Sequence, residues 1–386
     1  MSIGNRRASS LREKVRKSAL LLRRHLAQRL KPDTPISRGA NLLIYNPYLS
    51  TLGGGERYIL ALAAYLREKC NVTIGAPELP SLQQMQRLGF QTEFLLKQIP
   101  LSCFSDASQH YDAVIYLTNT LPPPSLAKQS FLVVQFPFDK LARQPGARFR
   151  QTLGLWSYKH CIVYSTFVQQ WLRTRWHRSS SILNPQIELG AFDSGSKQNL
   201  MLSVGRFFAS GHCKKQDSLI AAFKLLPKPI RDSWRLVLAG GLKNDENDLA
   251  YLRQLQQDAA GHNIVFELNL PQSRLLELYG QASLFWHATG FGRPDSEPER
   301  AEHFGMTTVE AMSFGAVPMV YPDGAQPEIV TENVGLFWRT PANLATLAGR
   351  LIGEPHRLAM LARNATDASK AYGRDNFFAI CAKVFG

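Results

Sequence analysis

Glu302-His303-Phe304-Gly305-Met306-Thr307-Thr308-Val309-Glu310-Ala311-Met312-Ser313-Phe314-Gly315 sets two carboxylates, with seven residues between them, around a short aromatic-glycine turn. A helix is expected after the turn. Thr307 can cap it, and Gly315 can end it in the left-handed conformation that glycine tolerates. The apolar run Ala316-Val317-Pro318-Met319-Val320-Tyr321 then reads as a short buried strand. Glu302 falls in the loop and Glu310 in the first helical turn. Between them lie the free N–H groups of a helix start, which attract an anion. A diphosphate can rest on those groups while the carboxylates hold hydroxyls on either side, a layout that suits a nucleotide-sugar.

A plainer reading stands beside this one. Thr307-x-x-Glu310 is also a capping box, in which the glutamate bonds the helix backbone, and Glu302 alone reads as a solvated loop charge. The pair in this frame is more specific. It resembles the E-x7-E signature of family 4 glycosyltransferases, and the match continues through Gly324-Ala325-Gln326-Pro327-Glu328-Ile329-Val330. The resemblance covers nearly the whole chain after residue 40. Within the family the chain is most similar to lipid-linked-oligosaccharide mannosyltransferase-like members. The resemblance implies an α/β chain of GT-B fold, two Rossmann-like doubly wound domains facing a cleft.

At 386 residues the chain is long enough for two domains with separate cores. A hydrophobic content of 45% with 10% aromatics excludes a disordered protein. Cys70, Cys103, Cys161, Cys213 and Cys381 are far apart and form no C-x-x-C pair. They read as small buried hydrophobes in a reducing compartment, not as a disulfide framework or a metal site. No run approaches the roughly 18 apolar residues of a membrane-spanning helix. These features set the expectation of a cytoplasmic protein.

The net charge of +15 is concentrated, because residues 1–40 carry +9 of it. Leu11, Val15, Ala19, Leu22, Leu26 and Leu30 recur at steps of three and four, an apolar stripe on a basic helix. Residues 6–31 therefore suit an anionic membrane surface, where each basic residue contributes about 1 kcal/mol. That would make the protein peripheral on the cytoplasmic membrane face. A helix packed on the body and a disordered basic tail remain alternatives. The stretch Ala19–Leu22 is too short for a signal peptide. Nucleic acid is not expected as a partner, since the tail has neither interleaved aromatics nor a reading motif.

Lys31-Pro32-Asp33-Thr34-Pro35 reads as a linker and Leu42–Tyr45 as the first strand. Gly53-Gly54-Gly55 follows, then a helix with apolar Ile59, Leu62, Ala63 and Leu66, the phosphate-approach unit of doubly wound folds. The third glycine of a dinucleotide fingerprint would fall at Tyr58, so NAD is not implied. From the residues alone the glycines are a tight turn; the resemblance implies that Gly54 and Gly55 approach donor phosphates and acceptor. Further strands are expected at Cys70–Ile74, Ala113–Leu117 and Phe131–Val134. The last enters Gln135-Phe136-Pro137-Phe138, where some lipid-linked mannosyltransferases of the family carry a histidine. Gln135 can bond a sugar hydroxyl but cannot titrate, and it is kept as an acceptor-side residue. Cys161–Phe167 and Ile182–Pro185 resemble the last elements before the crossover.

Met201–Val204 restarts the pattern, followed by Gly205-Arg206, Lys214-Lys215 and a helix through Leu219, Ile220 and Phe223. The resemblance implies that Arg206 and Lys214 hold the donor diphosphate, with Lys215 as a neighbour able to substitute. Arginine offers a planar fork and lysine a point charge, both suited to charge growing on a leaving phosphate. Lys214-Lys215 is otherwise a solvated helix start. Strands are also expected at Arg235–Ala239, Ile264–Phe266 and Leu284–Trp286. His287 after the last of these is a site-lining residue, and Arg293–Arg300 reads as a mobile loop over the donor. Asn376–Phe385 reads as a final helix.

The expected organisation is a basic tail and linker over 1–40, an acceptor domain over 41–195, with the boundary in polar, flexible Asp193–Lys197, and a donor domain over 196–370. A helix over 371–386 would cross back to the first domain. The resemblance implies a retaining, metal-independent glycosyltransferase with no cofactor, moving a sugar from a nucleotide-diphosphate sugar to a glycan or lipid-linked acceptor. Glu302, Arg206 and Lys214 would be catalytic. Glu310 would hold the ribose, and Phe304, Gly305, Met306 and Thr307 would shape the turn and present backbone donors. The alternative is a non-catalytic sugar-nucleotide sensor or a membrane-associated scaffold of the same fold.

Overall fold

The computed structural model describes residues 34–51, 53–81, 94–209 and 212–386. The apolar stripe of the basic tail, and with it the anionic-surface reading of residues 6–31, lies outside the described residues. The chain forms two compact units. The first runs to Val163 and includes Gln169–Ile182 and Ile380–Gly386; the second comprises Tyr164–Val168 and Leu183–Ala379.

Among the described residues, the first unit is built on a seven-stranded parallel sheet: β1 (Asn41–Tyr45), β2 (Asn71–Ala76), β3 (Leu95–Gln98), β4 (Ala113–Thr118), β5 (Gln129–Val134), β6 (His160–Val163) and β7 (Ser181–Ile182). Their order is β3-β2-β1-β4-β5-β6-β7. The second unit repeats this scheme with β8 (Gln198–Val204), β9 (Arg235–Gly240), β10 (Ile264–Leu268), β11 (Ala282–His287), β12 (Val317–Val320) and β13 (Leu336–Phe337), in the order β10-β9-β8-β11-β12-β13. Both are Rossmann-like doubly wound sheets. In each, the strand order reverses beside the first strand, between β1 and β4 and between β8 and β11. Ligands of such folds bind at the carboxyl ends of the strands flanking that reversal.

Strands covered by helices on both sides must be apolar on both faces, which is why they read as continuous apolar runs. In the second unit Met201, Leu236, Leu238, Leu284 and Trp286 enter one core. Their neighbours Leu200, Leu202, Val237, Ala239 and Phe285 enter the core on the opposite face. The strands missed from sequence are both edges. β3 is largely exposed, and β13 has only two residues.

The main stretch of the second unit begins at Leu183, ahead of the expected boundary at Asp193–Lys197. That segment is an ordered part of the unit: Asp193 accepts from the Gly195 N–H at 2.9 Å, and Lys197 Nζ donates to the Ala282 carbonyl at 2.7 Å. Burial lowers the Lys197 pKa to about 8. The last helix, Arg374–Phe385, starts in the second unit and ends in the first, where Phe385 O accepts from the Ile36 N–H at 2.9 Å. All five cysteines are free thiols, and Cys103 is exposed, against the expectation of burial. Among the described residues no helix is long and apolar enough to cross a membrane.

Candidate functional site

The loop after β8 and the end of β11 supply the core of the site. A Cβ on Gly240 would lie 2.0 Å from the Gly205 carbonyl, and one on Gly205 would lie 2.6 Å from Lys214 Cγ. Hydrogen at these positions lets the loop close and lays Lys214 along the backbone. Lys215 then takes a left-handed conformation, φ 55° and ψ 42°, as N-cap of the helix Gln216–Lys224. Non-glycine residues adopt it at a cost of about 1–2 kcal/mol. This turn separates Lys214 from the helix and lets its ammonium reach Glu302 Oε2 at 2.7 Å.

Glu302 is fixed from behind. Its carbonyl accepts from the Ala325 N–H at 2.8 Å. Gly324, at φ 63°, must be glycine here, because a Cβ would sit 2.1 Å from that same carbonyl. His287, at the carboxyl end of β11, brings Nε2 to 2.9 Å from Glu302 Oε2. Lys214, Glu302 and His287 thus form one contact group beside the β8/β11 reversal.

Burial alone would raise the Glu302 pKa; the Lys214 ammonium and the His287 hydrogen bond outweigh it and hold the carboxyl well below its ordinary range. Three histidines nearby also have lowered pKa values, which keeps them neutral where Glu302 is ionised. Burial, with help from Lys214, lowers His287 and brings His303 to about 4, against the opposing pull of Glu302. His212 falls well below its ordinary value, chiefly through burial and the Lys214 charge. Its ring stacks on His303 at 4.8 Å, and its Nε2 lies 2.6 Å from the Ala301 carbonyl. The result is an ionised carboxylate and one lysine among neutral imidazoles. Among the described residues no group of three or more His, Cys, Asp or Glu side chains is arranged to hold a metal ion.

The following helix spans Met306–Ser313 with Gly305 as its N-cap, at φ 106°. Thr307 is therefore inside the helix and does not cap it. Glu310 lies in the second turn, not the first. Gly305 prevails because the Gln326 amide occupies the space of a Cβ, with Nε2 2.6 Å from that position. Gln326 Nε2 also donates to Thr308 Oγ1 at 3.0 Å, which locks the turn. Glu310 is not bound as a capping-box residue. Its Oε2 accepts from Tyr279 OH at 2.7 Å. Gly315 ends the helix as expected, at φ 82°, with its N–H on the Met312 carbonyl and the Ala316 N–H on the Ala311 carbonyl. The Met306 and Thr307 N–H groups head the helix, where a backbone has no intrahelical acceptor to offer them.

The remaining expected residues stand apart from the Lys214–Glu302–His287 contact. Arg206 is exposed, its guanidinium 5.3 Å from the Phe208 ring centre. Phe304 is buried edge-on against Tyr372 at 5.4 Å and serves packing. Arg293, at the start of the expected loop, is held in a partly buried pair, its Nη2 donating to Asp323 Oδ1 at 2.6 Å.

In the first unit, Gly54 and Gly55 open the helix Gly54–Leu66. A Cβ on Gly55 would meet Gln135 Nε2 at 2.0 Å, so the glycine makes room for that amide. Gln135 Oε1 accepts from Asn119 Nδ2 at 3.0 Å. Buried Glu56, which sequence reasoning passed over, accepts from Asn46 Nδ2 at 3.1 Å and the Gly53 N–H at 2.6 Å and fixes the glycine turn. His212, Tyr279 and Thr289 were also missed. His212 and Tyr279 meet Ala301 and Glu310 only through the fold, whereas Thr289 Oγ1 lies 3.1 Å from His287 Nε2, two residues back, and nothing in their local sequence marks them.

Residues 188–367 match the family model "Glycosyl transferases group 1". All of the second unit's site residues named above fall inside that segment. A GDP-Man:Man(3)GlcNAc(2)-PP-Dol alpha-1,2-mannosyltransferase from Dictyostelium discoideum is 24% identical over 204 residues, 50% of this chain and 37% of that protein. The Homo sapiens protein of the same name is 31% identical over 133 residues, 33% of this chain and 24% of its own length. The chain thus spans well under half of these relatives. The crystal structure of Anabaena Alr3699/HepE in complex with UDP and glucose superposes with a TM-score of 0.69 at 16% identity, covering 89% of this chain and 99% of the other. The fold is GT-B.

Proposed function

We propose that this protein is a hexosyltransferase of family 4 that moves a sugar from a nucleotide-diphosphate sugar to a glycan or lipid-linked acceptor. The observation that carries the reading is the Lys214–Glu302 ion pair at the β8/β11 reversal, beside a helix start whose first N–H groups lack intrahelical partners. Supporting it, the relatives named above are mannosyltransferases whose names pair GDP-Man with a PP-Dol-linked glycan, and the Anabaena neighbour was crystallised with UDP and glucose.

In this reading the diphosphate lies against the Met306 and Thr307 N–H groups, and Lys214 and Arg206 offset the charge that grows on it as the glycosidic bond breaks. Glu302, engaged through Oε2, offers Oε1 to a hydroxyl of the transferred sugar, and Glu310 holds the ribose. The acceptor hydroxyl attacks from the face the diphosphate leaves and passes its proton to the departing phosphate. Configuration is retained, and no protein nucleophile or metal is needed. Gly54 and Gly55 approach the donor phosphates and the acceptor, and Gln135 serves the acceptor side. The reading extends to a cytoplasmic location, peripheral at an anionic membrane face, supported by basic residues 6–31 and by the lipid-linked acceptors in the relatives' names.

The test is transfer from GDP-mannose or UDP-glucose to a polyprenyl-diphosphate-linked oligosaccharide. Transfer is expected from one of the two donors, to persist in excess EDTA, and to give a product with the donor's anomeric configuration by NMR. Inverted product or loss of transfer on chelation would refute the retaining, metal-independent mechanism. Absence of transfer from both donors would refute the hexosyltransferase assignment as made.

A further inference from the structure

Among the described residues, the hydrogen-bonding neighbours of the His287 ring gather on its Nε2 side. Glu302 Oε2 lies at 2.9 Å, Thr289 Oγ1 at 3.1 Å and Gln326 Nε2 at 3.4 Å. Nδ1 is buried and has no hydrogen-bond partner among the described residues. An imidazolium would carry a proton on Nδ1 with nothing to accept it, and leaving a buried donor unpaired is costly. The ring is therefore neutral with its proton on Nε2, and that N–H donates to the carboxylate.

The ring's base is rigid. His287 pairs in register with Val320 of the neighbouring central strand, and its carbonyl accepts from Tyr321 N–H at 3.0 Å and Trp338 Nε1–H at 3.2 Å. Lys214, the other partner of Oε2, is a flexible arm from a loop and keeps 20% side-chain exposure. Lysine supplies charge, but a flexible stem defines direction poorly. Glu302 Oε1 takes no hydrogen bond from the described residues.

We propose that His287 is a positioning residue: its Nε2–H ties Glu302 Oε2 to the central sheet and leaves Oε1 as the oriented acceptor for a hydroxyl of the transferred sugar. Charge and orientation of Glu302 are then divided between two residues, Lys214 and His287. This rests on the glycosyl-transfer reading of the same site.

The test compares His287→Leu with His287→Gln, whose amide can donate to the carboxylate. Turnover and KM are measured with whichever of GDP-mannose and UDP-glucose the wild type uses, and affinity is measured separately for GDP or UDP alone. His287→Leu is expected to lower kcat by about 10–100-fold, while nucleotide affinity stays within about twofold. His287→Gln should recover about tenfold of that loss. Unchanged kcat in His287→Leu overturns the assignment. So does an equal loss in both variants accompanied by loss of nucleotide binding, which marks a purely structural histidine. A wild type without transfer removes the functional reading, and this assignment falls with it.

Discussion

Lys214→Ala is expected to reduce turnover by about 10²–10³-fold and to lower folding stability by about 3 kcal/mol. The two effects share one cause. Lys214 is the cation on Glu302 Oε2, 2.7 Å away, in a pair with side-chain exposures of 20% and 10%. Removing the lysine leaves a buried carboxylate facing neutral His287. Burial would then raise the Glu302 pKa, and the group would either stay charged at a cost or take up a proton. Removing both charges distinguishes stability from chemistry. Lys214→Met combined with Glu302→Gln is expected to regain most of the lost stability, because nothing charged is left unpaired, while turnover stays low. Denaturant unfolding near neutral pH and turnover at saturating donor measure the two. Wild-type turnover in Lys214→Ala, with no rescue by Lys215, would refute this role for Lys214.

Acid is expected to destabilise the second unit steeply between about pH 6.5 and 4. His212, His287 and His303 all have folded pKa values below that of free histidine, chiefly because they are buried, with His303 at about 4. Between the unfolded and folded values the unfolded chain binds more protons. Stability is therefore fully present above the unfolded pKa of about 6.5 and is lost as pH falls toward the folded value. His303 keeps some exposure, so its share is about 2–3 kcal/mol. Glu302 has the opposite charge but acts in the same direction lower down. Its depressed pKa contributes stability above about 4.3 that is lost only as pH falls further. Unfolding free energies measured at several pH values should show the slope, and His303→Phe should make it shallower. A flat profile would mean that these rings are hydrated and titrate normally.

How much of this was legible in the sequence depends on distance along the chain. The strands at Leu42–Tyr45, Ala113–Leu117 and Met201–Val204 could be read because both faces are buried and the apolar runs are unbroken. Edge strands β3 and β13 lack that signature. The stretch between the paired glutamates was read as a loop entering a helix, as the structure has it, but the local geometry depended on distant groups. Thr307 and Gly305 both offer a plausible helix start, and Gln326, packed on Gly305, decides between them. Glu310 finds Tyr279 and Glu302 finds His287 across the folded sheet. Lys214 was identified through its resemblance to a family position. Its partner was visible only once β8 and β11 lay side by side.

The most direct test of the central claim, that the second unit holds a nucleotide-diphosphate sugar through the Glu302–Glu310 frame, is thermal unfolding with UDP, GDP, ADP and their sugar conjugates, alongside Glu310→Ala. At 100 times its dissociation constant a ligand stabilises by about 2.7 kcal/mol. Selective stabilisation by one nucleotide and its sugar conjugate is expected, and it should be lost in a Glu310→Ala variant that still folds. A well-folded wild type whose midpoint moves with none of them, or a variant that responds as the wild type does, would contradict it.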